Sequence, residues 1–233
     1  MREEILNSLN EAGICVVPNF YSKEFCEQAV ADIEDGLVKF KDKVQSSERE
    51  GTSGDYRLFK MENQYETGKV FANEQLFIDV LNEYCGQAMK SHFVLGGKVQ
   101  HNEDKITNSG GGWHRDNRMR QLKTIVYLTD VNEKNGPYLF LPHSDKFDLP
   151  TRDGVGKVTR YEDKVINEFC KDNDLDPFLC TGEKGTVIFT DTSFIHRGSN
   201  IEEGIRYSYT NYYFEDNPMR YKLTEDNWGS YFI

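Results

Sequence analysis

A mainly β fold with flanking α-helices is the class this sequence predicts, and three observations carry it. From about residue 92 onward, short segments dense in β-branched and aromatic residues alternate with turn signals. Aromatic residues make up 13% of the chain, with 13 Tyr and 15 Phe, which suits a sheet-rich interior better than a helical bundle or a disordered chain. The 233 residues suffice for a sizeable core, and β-rich architectures of this size commonly form one unit, so a single domain over residues 1–233 is expected.

The elements follow in chain order. The amino terminus, MREEILNSLNEAG, alternates charge with isolated apolar residues and lacks the continuous apolar stretch of a secretory signal, so no targeting segment is expected. Residues 24–40 place Phe25, Ala29, Ile33, Leu37 and Phe40 on one stripe at helical spacing, with Ser22 as the N-cap. Residues 46–69 are polar, contain Gly and show no sustained period. They read as a long loop in which Tyr56 and Arg57 are candidates for a lid over substrate, with Arg57 contacting it. A second helix is expected over residues 74–85, capped by Asn73 and ended by Gly86. Strands are expected in HFVLGGKVQHN, LKTIVYLTD, PYLFLP, TVIFTD and IRYSYTNYYF, with turns at NEKNGP and GEKG. An insertion at 143–180, holding the helical stretch YEDKVINEFCKDN, interrupts the strand series.

Charge and cysteine usage narrow the partners. A formal charge of −11 opposes broad docking onto phosphate backbones, so nucleic acid is excluded as an expected partner. Five cysteines without a CxxC pair signal neither a disulfide framework nor a zinc knuckle, and read as reduced thiols of a cytoplasmic protein. Apolar runs fall far short of the roughly 20 residues a membrane span needs, so no membrane partner is expected. Nothing in the sequence bears on oligomeric state.

The chemistry-bearing stretch is GGGWHRDN, residues 110–117. In extended backbone residues i and i+2 point the same way, so His114 and Asp116 project into one space and Arg115 turns away. An imidazole nitrogen beside a carboxylate oxygen is half a metal site, although an HxD alone is weak, and a surface hydrogen bond or capping Asp is the ordinary alternative. Downstream, KGTVIFTDTSFIHRGSNIEEGIRYS reads as strand, turn and strand, carrying His196 and, ten residues later, Arg206. Two histidines and one carboxylate can occupy one face of an octahedral iron and leave three sites open. Arg206 then has a task, because a guanidinium fork suits a carboxylate held at fixed distance from the metal. Ser208, two residues on and on the same face, can donate a hydroxyl to that carboxylate. Asp191, Thr192 and Arg197 are candidates to orient the His196 ring.

With these residues in place, the sequence resembles the phytanoyl-CoA dioxygenase-like group of Fe(II)- and 2-oxoglutarate-dependent oxygenases. The resemblance runs from GICVVPNFYSKEFCEQAV through WHRD and LKTIVYLTDVNEKNGPYLFLPHS to KGTVIFTDTSFIHRGSN and Arg206. It implies a double-stranded β-helix, a cupin-like jelly roll, with a helical part at about 1–90 and a core at about 91–214 interrupted by the 143–180 insertion. It implies His114, Asp116 and His196 as catalytic iron ligands, Arg206 on the distal carboxylate of 2-oxoglutarate, and Ser208 as its hydroxyl partner. Gln100 and Asn102, on a strand ahead of the triad, match a place where related enzymes direct a polar side chain toward the cosubstrate.

The reaction so implied is hydroxylation of an unactivated C–H bond of a small-molecule metabolite, with decarboxylation of 2-oxoglutarate to succinate, O2 as oxidant and ascorbate as stimulant. Desaturation, epoxidation or cyclisation at the same site, or a non-catalytic jelly-roll binding protein, are the alternatives. A zinc hydrolase on the same ligands leaves Arg206 without a reason. A small residue in place of the carboxylate ligand marks the halogenating carriers of this fold, and Asp116 argues against that chemistry. One departure is the turn Pro142-His143-Ser144, where the family commonly has Pro-Gly-Ser-His. Arg118 and Arg120 follow the first ligands and are candidates to meet an anionic substrate group, since in an acidic chain positive charge is concentrated where an anion binds. Trp113 is expected in the core, and His92, His101 and His143 as packed, surface or turn residues.

Overall fold

The computed structural model describes residues 1–46, 54–103, 112–147, 149 and 159–233. Helix α1 (Arg2–Ala12) buries Ile5, Leu6 and Leu9 and ends at Gly13, whose φ of 78° is the left-handed geometry a C-cap favours. Strand β1 (Ile14–Val17) leads into α2 (Lys23–Lys39), where the Ser22 side chain accepts from the Phe25 N–H as the spacing predicted. The buried face of α2 is Cys26, Ala29, Ile33 and Gly36, so the predicted stripe is rotated, and Phe25, Leu37 and Phe40 flank it half-buried. Gly36 explains the rotation: a Cβ there would lie 2.7 Å from the Leu58 Cδ1, so the helix lies almost directly on the sheet.

The expected loop at 46–69 is largely structured. After β2 (Gln45–Ser46) come β3 (Asp55–Phe59), α3 (Met61–Gln64) and α4 (Glu66–Ala72). Residues 47–53 lie outside the described residues. Arg57 is therefore a strand residue and not part of a lid, because its backbone is held in register by Gly97 of the neighbouring strand. Helix α5 (Gln75–Cys85) starts on Glu74, not Asn73, since the Glu74 side chain accepts from the Leu76 N–H while Asn73 closes α4 and donates to the Lys69 carbonyl. Gly86 ends α5 as expected, at φ 66°.

The remaining strands are β4 (Met89–Gln100), β5 (His114–Arg115), β6 (Leu122–Tyr127), β7 (Tyr138–Phe140), β8 (Thr159–Arg160), β9 (Phe178–Cys180), β10 (Val187–Asp191), β11 (His196–Gly198) and β12 (Ile205–Glu215). They assemble into two antiparallel sheets, one ordered β1-β10-β6-β12-β4-β3-β2 and the other β8-β5-β11-β7-β9. The 143–180 segment does more than interrupt the series, because β8 and β9 form both edges of the second sheet, with α6 (Asp163–Asn173) between them in the chain. The chain ends in α7 (Pro218–Trp228), started by the Asn217 side chain accepting from the Arg220 N–H.

Alternation along the large sheet sorts its two faces. Val94, Val126, Phe189, Tyr209 and Tyr213 join the core formed with α1, α2, α4 and α5. Ile14, Ile125, Tyr127 and Ile188 face the other way and meet Tyr138, Phe140 and Phe194 between the sheets. Burying a side chain such as Ile33 completely contributes about 1.5–3 kcal/mol. Trp113 is buried with Tyr161, Ile166 and Phe169 of the α6 region, as expected. All five cysteines are free. Among the described residues no helix is long and apolar enough to cross a membrane.

Candidate metal and cosubstrate site

His114 and His196 are direct cross-strand partners, β5 against β11, which brings residues 82 positions apart into one ring pair with centroids 4.4 Å apart. Each ring is aimed by backbone. The Nδ1 of His114 lies 2.8 Å from the Gly112 carbonyl and that of His196 lies 2.9 Å from the Phe194 carbonyl. A carbonyl only accepts, so both Nδ1 atoms carry the proton and both Nε2 lone pairs face the site. The Gly run so far as described serves this: Gly112 takes φ 96°, a conformation that turns its carbonyl back onto the ring two residues on, while Gly110 and Gly111 lie outside the described residues. Asp191, Thr192 and Arg197, expected around His196, act elsewhere. Asp191 accepts from Tyr84 and Ser193, and Arg197 pairs with Asp163 over the Trp113 ring; the Thr192 carbonyl holds the Asp116 N–H at 3.0 Å.

Asp116 completes the cluster, with its Oδ1 3.7 Å from the His114 Nε2 and its Oδ2 3.7 Å from the His196 Nε2. The three donors lie within 4.8 Å of one another, so one ion with bonds of about 2 Å can reach all of them. Arg115 points away, as alternation predicted, and donates to the carbonyls of Ser144, Asp145 and Phe147. Burial pushes the His196 imidazole down to about 3, helped by the neighbouring His114, which is itself lowered by burial. Burial alone would raise the Asp116 carboxyl, but the Lys123 ammonium, and after it the two rings, hold it well below the usual carboxylate range. The cluster is thus two neutral imidazoles and a carboxylate, the protonation state in which such groups bind a metal.

The triad opens into a cleft of about 580 Å³ running along β12. Arg206, Ser208, Thr210, Tyr212 and Phe214 follow one another along its floor, since every second residue of the strand faces it. Arg206 is only 5% exposed and its Nε has no hydrogen-bond partner. Burial lowers the guanidinium from its ordinary value, opposed by Tyr127 and Asp55, and Asp55 is already engaged by Arg57 at 2.6 Å. A buried cation fork with its Nε left over fits a carboxylate ligand arriving from outside.

The other predicted residues divide. Arg57 lines the cleft from β3. Gln100 is exposed at the end of β4 on the face of Lys98, which pairs with Glu34 of α2, and Asn102 is half-buried beyond it; neither lines the cleft. Arg120 donates to the Tyr84 carbonyl at 2.8 Å and lies over that ring, turned from the cleft, and Arg118 is exposed and outside its lining. His143 takes φ 59°, the conformation a glycine adopts readily, so the departure in this turn is a histidine at a glycine-type position. Ser144 accepts from the Ile195 N–H and donates to the Leu141 carbonyl, tying that turn to the one before His196.

Sequence reasoning missed Lys123, Arg160, Arg220 and Trp228 in the cleft wall. For Lys123 a signal existed: it is the one charge in LKTIVY, a strand whose six residues are all buried.

Two facing antiparallel sheets with a two-histidine, one-carboxylate cluster between them define a double-stranded β-helix protein with a candidate mononuclear metal centre. The sequence profile of the phytanoyl-CoA dioxygenase (PhyH) family matches residues 9–206, and the chain belongs to that family. No curated protein is significantly similar in sequence. Similar solved structures include the non-haem alpha-ketoglutarate-dependent epimerase SnoN of nogalamycin biosynthesis, in complex with Fe3+, alpha-ketoglutarate and nogalamycin RO. It shares 14% identity at a TM-score of 0.74 over 92% of this chain and 83% of its own. HygX from Streptomyces hygroscopicus, with nickel, 2-oxoglutarate and hygromycin B bound, aligns at 13% identity and TM-score 0.64 over 91% and 87% of the two chains. EctD from S. alaskensis, with 2-oxoglutarate and 5-hydroxyectoine, aligns at 17% and 0.68 over 90% and 74%. At these identities the likeness is one of fold.

Proposed function

We propose that this protein is an Fe(II)- and 2-oxoglutarate-dependent oxygenase that hydroxylates an unactivated C–H bond of a small-molecule metabolite. The observation that carries the reading is the pairing of the His114, Asp116, His196 cluster with a buried Arg206, its Nε without a hydrogen-bond partner, in one cleft. Iron with 2-oxoglutarate and O2 supplies, when bound, oxidative decarboxylation to succinate and CO2 coupled to oxidation of a substrate C–H bond. The chain's own residues do the rest. His114, Asp116 and His196 would hold the metal through two imidazole nitrogens and one carboxylate oxygen. Arg206 takes the far carboxylate of 2-oxoglutarate, and Ser208 adds a hydroxyl from the same face of β12. Tyr138, Tyr127 and Ile125 wall the cleft against water, which favours substrate oxidation over uncoupled turnover.

The solved relatives include an epimerase and a carbocyclase, so desaturation, epoxidation or cyclisation is a second reading for the same machinery. The test is succinate formation and O2 uptake with iron, 2-oxoglutarate and ascorbate across a metabolite panel, with mass analysis of the product. Gain of one oxygen supports hydroxylation or epoxidation and loss of two hydrogens supports desaturation or cyclisation, each pair being told apart by NMR of the product for a new C–OH, an oxirane, a C=C bond or a new ring. Metal-loaded protein that binds no 2-oxoglutarate and forms no succinate with any compound would refute both.

A further inference from the structure

Charge in the cleft wall is the reverse of charge in the chain. The sequence has 28 basic and 39 acidic residues, yet among the described residues five basic side chains line the cleft, Arg57, Lys123, Arg160, Arg206 and Arg220, against one acid, Asp116. Arg57 and Arg220 carry their own counter-charges, Asp55 at 2.6 Å and Glu215 at 2.7 Å. Arg206 is committed to the cosubstrate under the reading above.

Lys123 is the informative one. It stands opposite Tyr212 in the β6–β12 register, on the face that also carries Ile125 and Tyr127, and is 7% exposed. Its ammonium is in ion-pair contact with the Asp116 Oδ2 and lies 4.2 Å from the Tyr212 ring centroid. A buried lysine is costly unless paired, and its partner here is the carboxylate of the metal cluster. Once Asp116 gives its charge to a divalent metal, the balance changes. A dication, Asp116, Lys123, a dianionic cosubstrate and Arg206 together leave one positive charge over, in a cleft walled by buried side chains where potentials are stronger than in bulk water.

We propose that the part of the cleft beyond the metal from Arg206 receives a substrate bearing an anionic oxyacid group, carboxylate or phosphate, with Lys123 as its counter-charge and Tyr212, Phe214 and Trp228 as the wall for its apolar body. This rests on the oxygenase reading and names the substrate class for that site.

The test separates the two readings. Protein loaded with nickel(II), a redox-silent stand-in, is first titrated with 2-oxoglutarate by calorimetry. Absence of binding sinks the oxygenase reading and this proposal with it. The nickel and 2-oxoglutarate complex is then exposed to metabolites in matched pairs, acid against methyl ester and phosphate ester against free alcohol, with binding followed by the shift in melting temperature and by calorimetry. The expected result is that binders are the anionic members, the two kinds of pair telling carboxylate from phosphate. Lys123→Met should weaken them roughly 10–100-fold, the worth of a hydrogen bond to a charged group, and Lys123→Arg should restore much of the loss. Nickel and 2-oxoglutarate should bind Lys123→Met at least as well as wild type. A panel in which no anionic member outbinds its neutral counterpart overturns the proposal, as does a Lys123→Met protein that keeps wild-type affinity for the anionic binders while metal and cosubstrate still bind.

Discussion

Arg206→Met is the substitution that best separates binding from folding. In the free protein the guanidinium is buried, its Nε is unpartnered, and the carboxylate with most influence on it, Asp55, is held by Arg57. Its removal leaves no group orphaned, so the unliganded fold should keep its stability to within about 1 kcal/mol or gain slightly, the usual sign at a site strained for function. The cosubstrate should suffer instead. Two hydrogen bonds to a carboxylate are worth roughly 3–5 kcal/mol together, or about two to four orders of magnitude in Kd. Arg206→Lys keeps the charge without the fork and should recover only part of that loss. Calorimetric titration of nickel-loaded protein with 2-oxoglutarate gives the affinity, and urea unfolding of the metal-free protein gives the stability. Unchanged affinity, or a loss of stability above about 2 kcal/mol, would show that Arg206 is a structural residue and refute the assignment.

Asp116→Ala should abolish stoichiometric metal binding and, by stranding the Lys123 ammonium, destabilise the metal-free protein by roughly 2–4 kcal/mol. Adding Lys123→Met should restore most of the stability and none of the metal, as read by unfolding and metal analysis. His92 is buried between Phe214 and Tyr221, its Nε2 has no partner, and burial pushes it down to about 4. Between about pH 6.5 and 4 the unfolded chain takes up a proton that the folded one refuses, so this residue makes stability fall as pH falls, by on the order of 3 kcal/mol in total. His92→Phe should flatten that slope in unfolding curves taken across the range; an unaltered slope would contradict the assignment. Gly185 takes φ 90°, and a Cβ there would lie 2.2 Å from the Tyr21 carbonyl oxygen, so Gly185→Ala should cost at least about 2–3 kcal/mol in chemical denaturation. A cost below about 1 kcal/mol would show that the turn can move aside.

Legibility in the sequence followed the range of the forces involved. The α2 cap at Ser22, the α5 stop at Gly86 and strands β4, β6, β7, β10 and β12 are set by local spacing, and local spacing can be read, whereas the short edge strands β8 and β9 of the 143–180 segment show no such pattern. The segment from Asp55 to Ala72 was unreadable because its elements are too short to show a period. Lys60 also makes its turn at φ 71° without a glycine, and Gly68, which reads as a loop residue, permits a close approach to the Met61 backbone. The start of α7 was written in Asn217-Pro218, but its face has little apolar pattern, since ring contacts of His92 and Phe93 with Tyr221 and Trp228 hold it down.

The sequence by itself picked out the three side chains that come together as the candidate metal cluster. His114 and Asp116 share a face because side chains alternate along extended backbone, and His196 and Arg206 sit on the two arms of one strand–turn–strand unit. Only the tertiary structure decided what surrounds them. Strand register places Lys123 opposite Tyr212 and beside Asp116, leaves Gln100 exposed outside the cleft lining, and draws Arg120 onto Tyr84. Those outcomes depend on which strands pair and in what offset, and pairing is settled by the burial of both faces of the large sheet at once, which no single segment encodes.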